Sequence, residues 1–160
     1  MKTSQKIVSK EALKTKIAAL RRQRKTIVFT NGCFDILHYG HVSYLEEAKK
    51  DNSRVLIIGL NSDKSVQTLE KGPGRPIVPQ KERAKLLAAL SCVDFVVLFN
   101  ESTPEKLIKF LSPDILIKGA DWKGKTVAGS EFVKKVEFLR YIKGLSTTNI
   151  IEKIGKLCAR

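Results

Sequence analysis

The sequence is poor in cysteine, histidine and tryptophan: its 160 residues include three cysteines, two histidines and one tryptophan. Cys33, Cys92 and Cys158 are widely separated and include no Cys-x-x-Cys pair. An odd number of scattered cysteines argues against a disulfide framework and against a structural zinc site. The cysteine pattern therefore indicates a reducing compartment.

Long hydrophobic runs are also absent. The apolar stretches, such as Val55–Ile58, are far too short to span a bilayer, and residues 1–17 lack the apolar core of a secretory signal peptide. A chain of this length fits one domain with a sizeable core. We therefore expect a cytoplasmic protein with no membrane partner, folded as a single domain over residues 1–160.

Acidic residues are few beside the basic ones: 16 Asp and Glu stand against 30 Lys and Arg, for a formal net charge of +14. Such a charge favours anionic partners, including nucleic acid. The basic residues are nevertheless spread along the chain, without a basic arm, a stacking-aromatic motif or a zinc finger. The charge suits an acidic substrate and predicts no specific nucleic acid, although a nucleic-acid-binding module remains an alternative of another class.

Apolar runs alternate with amphipathic segments along the chain, which predicts an α/β fold built of βαβ units. Residues 9–22 predict an N-terminal helix, and residues 26–157 predict the core. Strands are predicted at 27–29, 54–60, 93–99, 115–117 and 136–139, and helices at 40–50, 64–69, 79–90, 103–111 and 147–157. We expect a Rossmann-like, doubly wound, parallel five-stranded sheet whose ligands bind beyond the carboxyl ends of the strands.

Both histidines of the chain lie in one tetrapeptide between a predicted strand and a predicted helix. Residues 30–32 supply turn chemistry after the strand, and the spacing of His38 and His41 lets them share one face of the first helical turn. A helix N-terminus binds phosphate through unpaired N–H groups and the positive end of its dipole, and Gly40 leaves the anion room. A metal site would need further ligands, and ordinary packing residues are the remaining alternative. We predict that His38 and His41 handle phosphate.

Several segments resemble a known family. Asn31–His41 resembles the GxFDxxHxGH signature of the cytidylyltransferase-like nucleotidyltransferase superfamily, and Ser146–Thr148 before the last helix resembles its second signature. Within the superfamily, Gly59–Asp63, Lys71–Pro76, Lys118–Asp121 and Leu145–Ile151 are similar to the heptose 1-phosphate adenylyltransferases. The resemblance covers residues 7–157.

The resemblance implies a nucleotidyltransferase that moves AMP from ATP to D-glycero-β-D-manno-heptose 1-phosphate. The products would be ADP-heptose and pyrophosphate, for bacterial lipopolysaccharide or surface-glycan synthesis. The resemblance also implies Mg²⁺ as the counterion of ATP, a homodimer, and the stand-alone form without a sugar kinase. A cytidylyltransferase acting on glycerol 3-phosphate or phosphoethanolamine is the nearest alternative, because it would share the same histidine motif.

The resemblance also assigns roles to residues, and it assigns no metal ligand. The catalytic candidates are His38, His41 and Lys118. Candidates for binding the nucleotide are Thr30, Asn31, Gly32, Cys33, Phe34, Gly40, Gly119, Asp121, Ser146, Thr147 and Thr148. Candidates for binding the sugar phosphate are Asp35, Asn61, Asp63, Lys71 and Arg75.

Some of these assignments have structural alternatives. For Asp35 a structural or helix-capping role is favoured over metal binding, and helix capping also explains Asn61 and Asp63. Residues 71–76 form a Gly/Pro-rich loop that would close over the sugar phosphate, with a solvated linker as the alternative. Residues 149–151 stand where many family members carry a basic residue, so the cation that meets the triphosphate tail is not identified.

Overall fold

A sheet of five parallel strands forms the centre of the fold in the computed structural model, which describes residues 2–69, 72–140, 142 and 144–159. The strands follow one another in the spatial order β3-β2-β1-β4-β5. Their bounds are β1 Thr26–Gly32, β2 Arg54–Asn61, β3 Phe95–Phe99, β4 Ile115–Gly119 and β5 Lys135–Leu139. The predicted Rossmann-like α/β fold with a doubly wound, five-stranded parallel sheet is confirmed.

Helices cover both faces of the sheet. Their bounds are α1 Thr3–Lys6, α2 Lys10–Arg22, α3 Tyr39–Lys49, α4 Asp63–Gln67, α5 Gln80–Ala89, α6 Glu105–Leu111 and α7 Thr147–Cys158, with 3-10 turns at Ala120–Trp122 and Ser130–Phe132. On one face α3 and α5 pack on a core that includes Val28, and on the other α2 and α6 pack on a core that includes Ile27 and Phe29. Successive β1 residues therefore point to opposite faces, as the pleat requires. All of β2 is buried, which explains its continuous apolar run.

The structure corrects one of the predicted elements and adds a helix that was not predicted. Residues 30–32 are not a turn but the end of β1, because they continue the parallel pairing with Ile58, Gly59 and Leu60 of β2. Helix α1 was not predicted, since it is a single short turn without a hydrophobic period. In the part of the chain that the structure describes, no helix is long and apolar enough to cross a membrane.

The topology gathers polar residues at one edge of the sheet. After β1 the chain builds β2 and β3 on one side, then crosses to β4 and β5 on the other. In parallel sheets, ligands bind at such a switch point, beyond the carboxyl ends of the strands. Asn31, Asn61 and Lys118 lie at the ends of the three central strands, and α3 begins shortly after β1.

Candidate active site

The two histidines form a stacked pair at the start of α3. His38 is the N-cap residue, with extended backbone, and His41 lies one turn further on. Their ring centroids are 3.9 Å apart with 23° between the planes, and the Phe34 ring lies 5.0 Å from that of His41. A Cβ on Gly40 would lie 3.1 Å from the His38 ring and 3.3 Å from Cβ of Leu145. A larger residue here would therefore press on the His38 ring, and glycine lets it stack undisturbed, in addition to any room that it leaves for an anion.

Both imidazoles carry a buried nitrogen without a partner. Among the described residues, Nδ1 of His38 and Nδ1 of His41 are the buried side-chain polar atoms that make no hydrogen bond. Burial lowers the pKa of His38, and burial together with the neighbouring His38 lowers the pKa of His41 to about 4. The pair is therefore neutral at pH 7 and has unused hydrogen-bonding capacity. Such orphaned polar atoms are rare in folded proteins, and a catalytic role or a bound ion or water is the usual explanation.

The histidine pair borders a cleft of about 890 Å³, which we call the histidine cleft. It is lined by Cys33, Phe34, Asp35, His38, Gly40, His41, Leu69, Gly72, Arg75, Ile142, Leu145, Ser146, Thr147 and Thr148. The cleft thus unites the two signature segments, although 104 residues of sequence separate them. Ser146 caps α7 by accepting a hydrogen bond from Asn149 N at 3.0 Å, and the Thr147 hydroxyl donates to Ile36 O at 3.4 Å.

Asp35 fastens the Gly/Pro-rich loop to the floor of this cleft. Its Oδ2 accepts from Arg75 Nε at 2.5 Å, and its Oδ1 accepts from the backbone N–H groups of Ile77 and Val78, each at 2.8 Å. Burial alone would raise the pKa of the Asp35 carboxyl, but these hydrogen bonds and the Arg75 charge outweigh it and lower the pKa. These contacts are of the structural kind that was favoured for Asp35 over metal binding, but they hold a loop and do not cap a helix. Lys71, in the same loop, lies outside the described residues.

Arg83 was missed by the sequence analysis and is the largest of the fully buried side chains. Its guanidinium donates to four oxygens, which are the backbone oxygens of Val78, Cys33 and Asn61 and the side-chain Oδ1 of Asp63. The loop after β1, the end of β2 and the segment before α5 are thereby joined through one side chain. The period of α5 contained a signal, because Arg83 lies one turn before the buried Leu87.

A second cleft of about 400 Å³, which we call the lysine cleft, adjoins the first. It is lined by Asn31, Gly32, Cys33, Tyr44, Asn61, Leu69, Ser102, Thr103, Pro104, Lys118, Gly119, Trp122 and Ala128. Lys118 Nζ donates to Asn31 Oδ1 at 2.7 Å and lies 5.1 Å from the centroid of the Trp122 ring. Burial lowers the pKa of Lys118 to about 8, against the opposing charge of Asp121. Trp122 was not predicted as a site residue. Cys33 and Leu69 border both clefts.

Three candidates line neither cleft. The side chain of Thr30 is fully buried, and its hydroxyl bonds to Tyr44 Oη at 3.0 Å and Ile117 O at 3.1 Å, so it cannot reach a nucleotide. Asp63 is occupied by Arg83 and by the N–H of Gln80, and Asp63 N donates in turn to the Gln80 side chain. Asp121 is exposed and lines neither cleft.

Sequence comparison identifies the family. The profile described as cytidylyltransferase-like matches residues 29–153. A protein named bifunctional protein HldE from Campylobacter fetus subsp. fetus is 61% identical over 133 residues, which are 83% of this chain and 29% of that protein. Its namesake from Helicobacter pylori (strain Shi470) is 54% identical over 156 residues, 98% of this chain and 33% of that protein. The chain thus spans about a third of the length of these relatives.

A solved structure agrees with the sequence comparison. The lipopolysaccharide core biosynthesis protein from Thermoplasma volcanium GSS1 is 27% identical, with a TM-score of 0.53. The match covers 83% of this chain and 88% of that one. The similarity therefore extends over nearly the whole of a solved domain as well as over the two signature segments.

Proposed function

The chain belongs to the cytidylyltransferase-like family and is a nucleotidyltransferase, and from this premise we propose that it transfers AMP from ATP to a sugar 1-phosphate. The acceptor that we propose is D-glycero-β-D-manno-heptose 1-phosphate, which would give ADP-heptose and pyrophosphate for bacterial lipopolysaccharide or surface-glycan synthesis. The similarity to a lipopolysaccharide core biosynthesis protein supports this acceptor.

The observation that carries the proposal is the stacked histidine pair beside the N-terminus of α7. The two buried Nδ1 atoms have no hydrogen-bond partner among the described residues. Each such atom lowers the stability of the fold by about 1–3 kcal/mol as long as it makes no hydrogen bond. The first N–H groups of α7 also lack intrahelical partners and carry the positive end of the helix dipole. A polyphosphate in the histidine cleft supplies acceptors to both sets of groups.

His38 and His41 act in this proposal by binding charge. An oxygen of the acceptor phosphate forms a bond to the α-phosphorus of ATP, the bond from that phosphorus to the bridging oxygen breaks, and pyrophosphate leaves. The acceptor phosphate is already an anion, so no base is required to generate the nucleophile. Hydrogen bonds from the imidazoles, and from Ser146, Thr147 and Thr148, stabilise the charge that develops on the leaving phosphates.

The lysine cleft is the proposed acceptor side of the site. Lys118 is the one lysine or arginine among the described residues that line it, and its ammonium group suits the acceptor phosphate. Trp122 offers a flat apolar surface, and Asn31 and Asn61 offer amide groups for hydroxyls. Because Cys33 and Leu69 border both clefts, the α-phosphate of a nucleotide in the histidine cleft would lie close to the acceptor.

Magnesium enters the proposal with ATP, as part of the substrate. Hard cations prefer carboxylate oxygens, but Asp35, the carboxylate in the histidine cleft, already accepts three hydrogen bonds. Around the described residues there is also no group of three or more His, Cys, Asp or Glu residues suited to a metal ion. The protein residues do not fit a Mg²⁺ held mainly by side chains, so phosphates and water would hold it.

We also propose that the protein is cytoplasmic, that the nucleotidyltransferase domain extends over residues 1–160, and that two chains form a homodimer. The second activity of the bifunctional relatives is not part of the proposal, because the match covers about a third of their length.

The test is the release of pyrophosphate in the presence of Mg²⁺, with ATP or CTP as donor, and with the heptose 1-phosphate, glycerol 3-phosphate, phosphoethanolamine or no acceptor. We expect release only when ATP and the heptose 1-phosphate are both present, and a product with the mass of ADP-heptose. The family description makes CTP the alternative donor. Release with CTP and glycerol 3-phosphate or phosphoethanolamine, and none with the heptose, would replace the proposed reaction by the cytidylyl transfer.

A further inference from the structure

Arg75 has unused hydrogen-bond donors at the histidine cleft. Its side chain is 11% exposed, and one of its five N–H groups, that of Nε, donates to Asp35. Neither Nη atom makes a hydrogen bond to another described residue, and neither is enclosed, since the enclosed orphan atoms are those of the histidines. The free fork of the guanidinium can therefore bind a ligand in the cleft.

The histidine cleft is otherwise short of positive charge. Among its described lining residues Arg75 is the one lysine or arginine, and Lys118 belongs to the other cleft. His38 and His41 are neutral at pH 7 because burial lowers the pKa of each. A nucleoside triphosphate carries most of its negative charge on its β- and γ-phosphates, so a guanidinium in this cleft would attract and bind them.

Asp35 fixes the direction in which this fork points. Asp35 Oδ1 accepts hydrogen bonds from the N–H groups of Ile77 and Val78. Oδ2 accepts from Nε of Arg75, so the planar guanidinium meets the carboxylate edge-on. Arg83 ties Val78 O and Cys33 O together below the loop, so the carboxylate and the backbone around it cannot shift independently. Arg75 is thus held in place before any ligand arrives.

We propose that Arg75 binds the β- and γ-phosphates of the nucleotide and the pyrophosphate that leaves, and that Asp35 is the positioning residue that aims its guanidinium. This inference rests on the proposed function and deepens it. It also revises the sequence-based hypothesis, which assigned Arg75 to the sugar phosphate, and it supplies the cation for the triphosphate tail that the sequence left unidentified.

The first test measures the binding of pyrophosphate, ATP and AMP by titration calorimetry to the wild type, Arg75→Ala and Arg75→Lys. The control is Arg22→Ala, which removes an exposed arginine of α2, on the opposite face of the sheet. We expect Arg75→Ala to weaken pyrophosphate and ATP binding ~10–100-fold, because it removes a charged bidentate contact. AMP lacks the β- and γ-phosphates, so its binding should change less than about twofold. The affinity of Arg75→Lys for pyrophosphate and ATP should lie between those of Arg75→Ala and the wild type, and the affinity of Arg22→Ala should equal that of the wild type.

Two results would overturn the inference: unchanged pyrophosphate and ATP binding in Arg75→Ala, or a loss that falls instead on the KM of the sugar 1-phosphate. Failure of the proposed function looks different. A wild type that binds pyrophosphate and ATP but shows no heptose-dependent turnover would overturn the acceptor, while the Arg75 comparison would still decide this inference. A wild type that binds none of the three ligands would overturn both.

The second test separates positioning from a purely structural role of Asp35. Asp35→Asn keeps the shape of the side chain and removes the charge that orients Arg75. We expect it to raise the KM for ATP more than it lowers kcat, and to add nothing to the KM defect when combined with Arg75→Ala. Additive defects would mean that Asp35 acts on its own. If Asp35→Asn does not fold, the Arg75 variants decide the inference alone.

Discussion

The two ends of the sheet both carry clefts and polar groups, but they use them differently. At the amino ends of β1, β4 and β5, two grooves of about 520 and 540 Å³ together carry five basic residues, Arg21, Arg24, Lys25, Lys134 and Lys135. Most of those cations are already paired: Lys134 with Asp114 at 2.8 Å, Lys25 with Asn52 O at 2.7 Å, and Arg21 with Ser112 O. At the carboxyl ends, by contrast, the histidine Nδ1 atoms and the Arg75 fork have no partner among the described residues.

This difference teaches that unused hydrogen-bonding capacity marks the functional end better than charge does. The charge of +14 pointed to polyanions without saying where they bind. Surface cations that are screened and paired contribute little, whereas an unpaired polar atom in a low-dielectric cleft is costly until a ligand fills it. The predictions that follow each set one end of the sheet against the other.

The largest expected effect is on turnover at the carboxyl end. Replacing His38 or His41 by alanine should lower kcat by about 10²–10⁴-fold, because each removes a preorganised donor from the phosphate site. At the amino end, Lys134→Ala and Lys135→Ala should leave kcat unchanged within about twofold. Pyrophosphate release measures both, and circular dichroism verifies the fold. Full activity in either histidine variant would sink the proposed role of that histidine.

A second expected effect is on stability and compares two arginines. Arg83→Met removes the buried guanidinium that donates to three backbone carbonyls and to Asp63 Oδ1, and should lower the free energy of unfolding by about 3–5 kcal/mol. Arg21→Met, at the amino end, removes an exposed hydrogen bond to Ser112 O and should cost less than about 1 kcal/mol. Urea unfolding measures both values. Similar losses in the two variants would show that the Arg83 network does not stabilise the fold.

The third expected effect is a pH dependence that comes from the carboxyl end. His41 has a pKa of about 4 in the folded chain, below its ordinary 6.5, because of burial and of His38. Between these values the unfolded chain binds more protons, so the free energy of unfolding should rise with pH from about 4 to 6.5 and then level off. His38, whose pKa burial also lowers, acts in the same direction.

Asp114, at the amino end, gives the contrast for this pH profile. Burial would raise the pKa of its carboxyl, but the Lys134 side chain and Ile27 N–H outweigh it and lower the pKa below the ordinary 3.8. Its contribution is therefore lost only in more acidic solution. Unfolding curves at a series of pH values should thus show that the free energy of unfolding rises between pH 4 and 6.5. His41→Asn should make this rise smaller, and Asp114→Asn should leave it unchanged. A flat profile for the wild type between pH 4 and 6.5 would contradict the burial of the pair.

The smallest expected effect belongs to the amino end alone. Lys134 is 82% exposed in its pair with Asp114, so Lys134→Ala should change the free energy of unfolding by no more than about 1 kcal/mol. Added salt should reduce even this difference, because exposed charges are screened. A loss of several kcal/mol would show that the basic grooves contribute to the fold as strongly as the carboxyl end does.

Much of the fold was predictable because its signals are local. The run 54–60 indicated a strand covered on both faces, and all of β2 is buried. The start of the last helix was predicted at Thr147, and Ser146 caps it there. The predicted end of β1 was wrong. Residues 30–32 are of turn-forming types, but their pairing with β2 keeps them in the strand. Tertiary pairing there overrides local preference.

The candidate site was predictable only in part, for the same reason. The stacking of His38 on His41 follows from their spacing in one helical turn, and the sequence analysis identified that segment. Arg83 and the pairing of Asp35 with Arg75 were missed, because each joins positions far apart in the chain. Trp122 was missed although it lies only four positions from Lys118. Arg75 and Asp35, for instance, are 40 positions apart.

The sequence by itself determined the parallel sheet, the junction that carries the histidines and the capped helix opposite them. These features follow from hydrophobic period and helix capping, which act over a few residues. Only the tertiary structure decided that Arg75 lies with the histidines while Lys118 lies in the neighbouring cleft, and that Asp35 is already occupied. Those choices depend on which loops pack together at the edge of the sheet, and no local pattern records that packing.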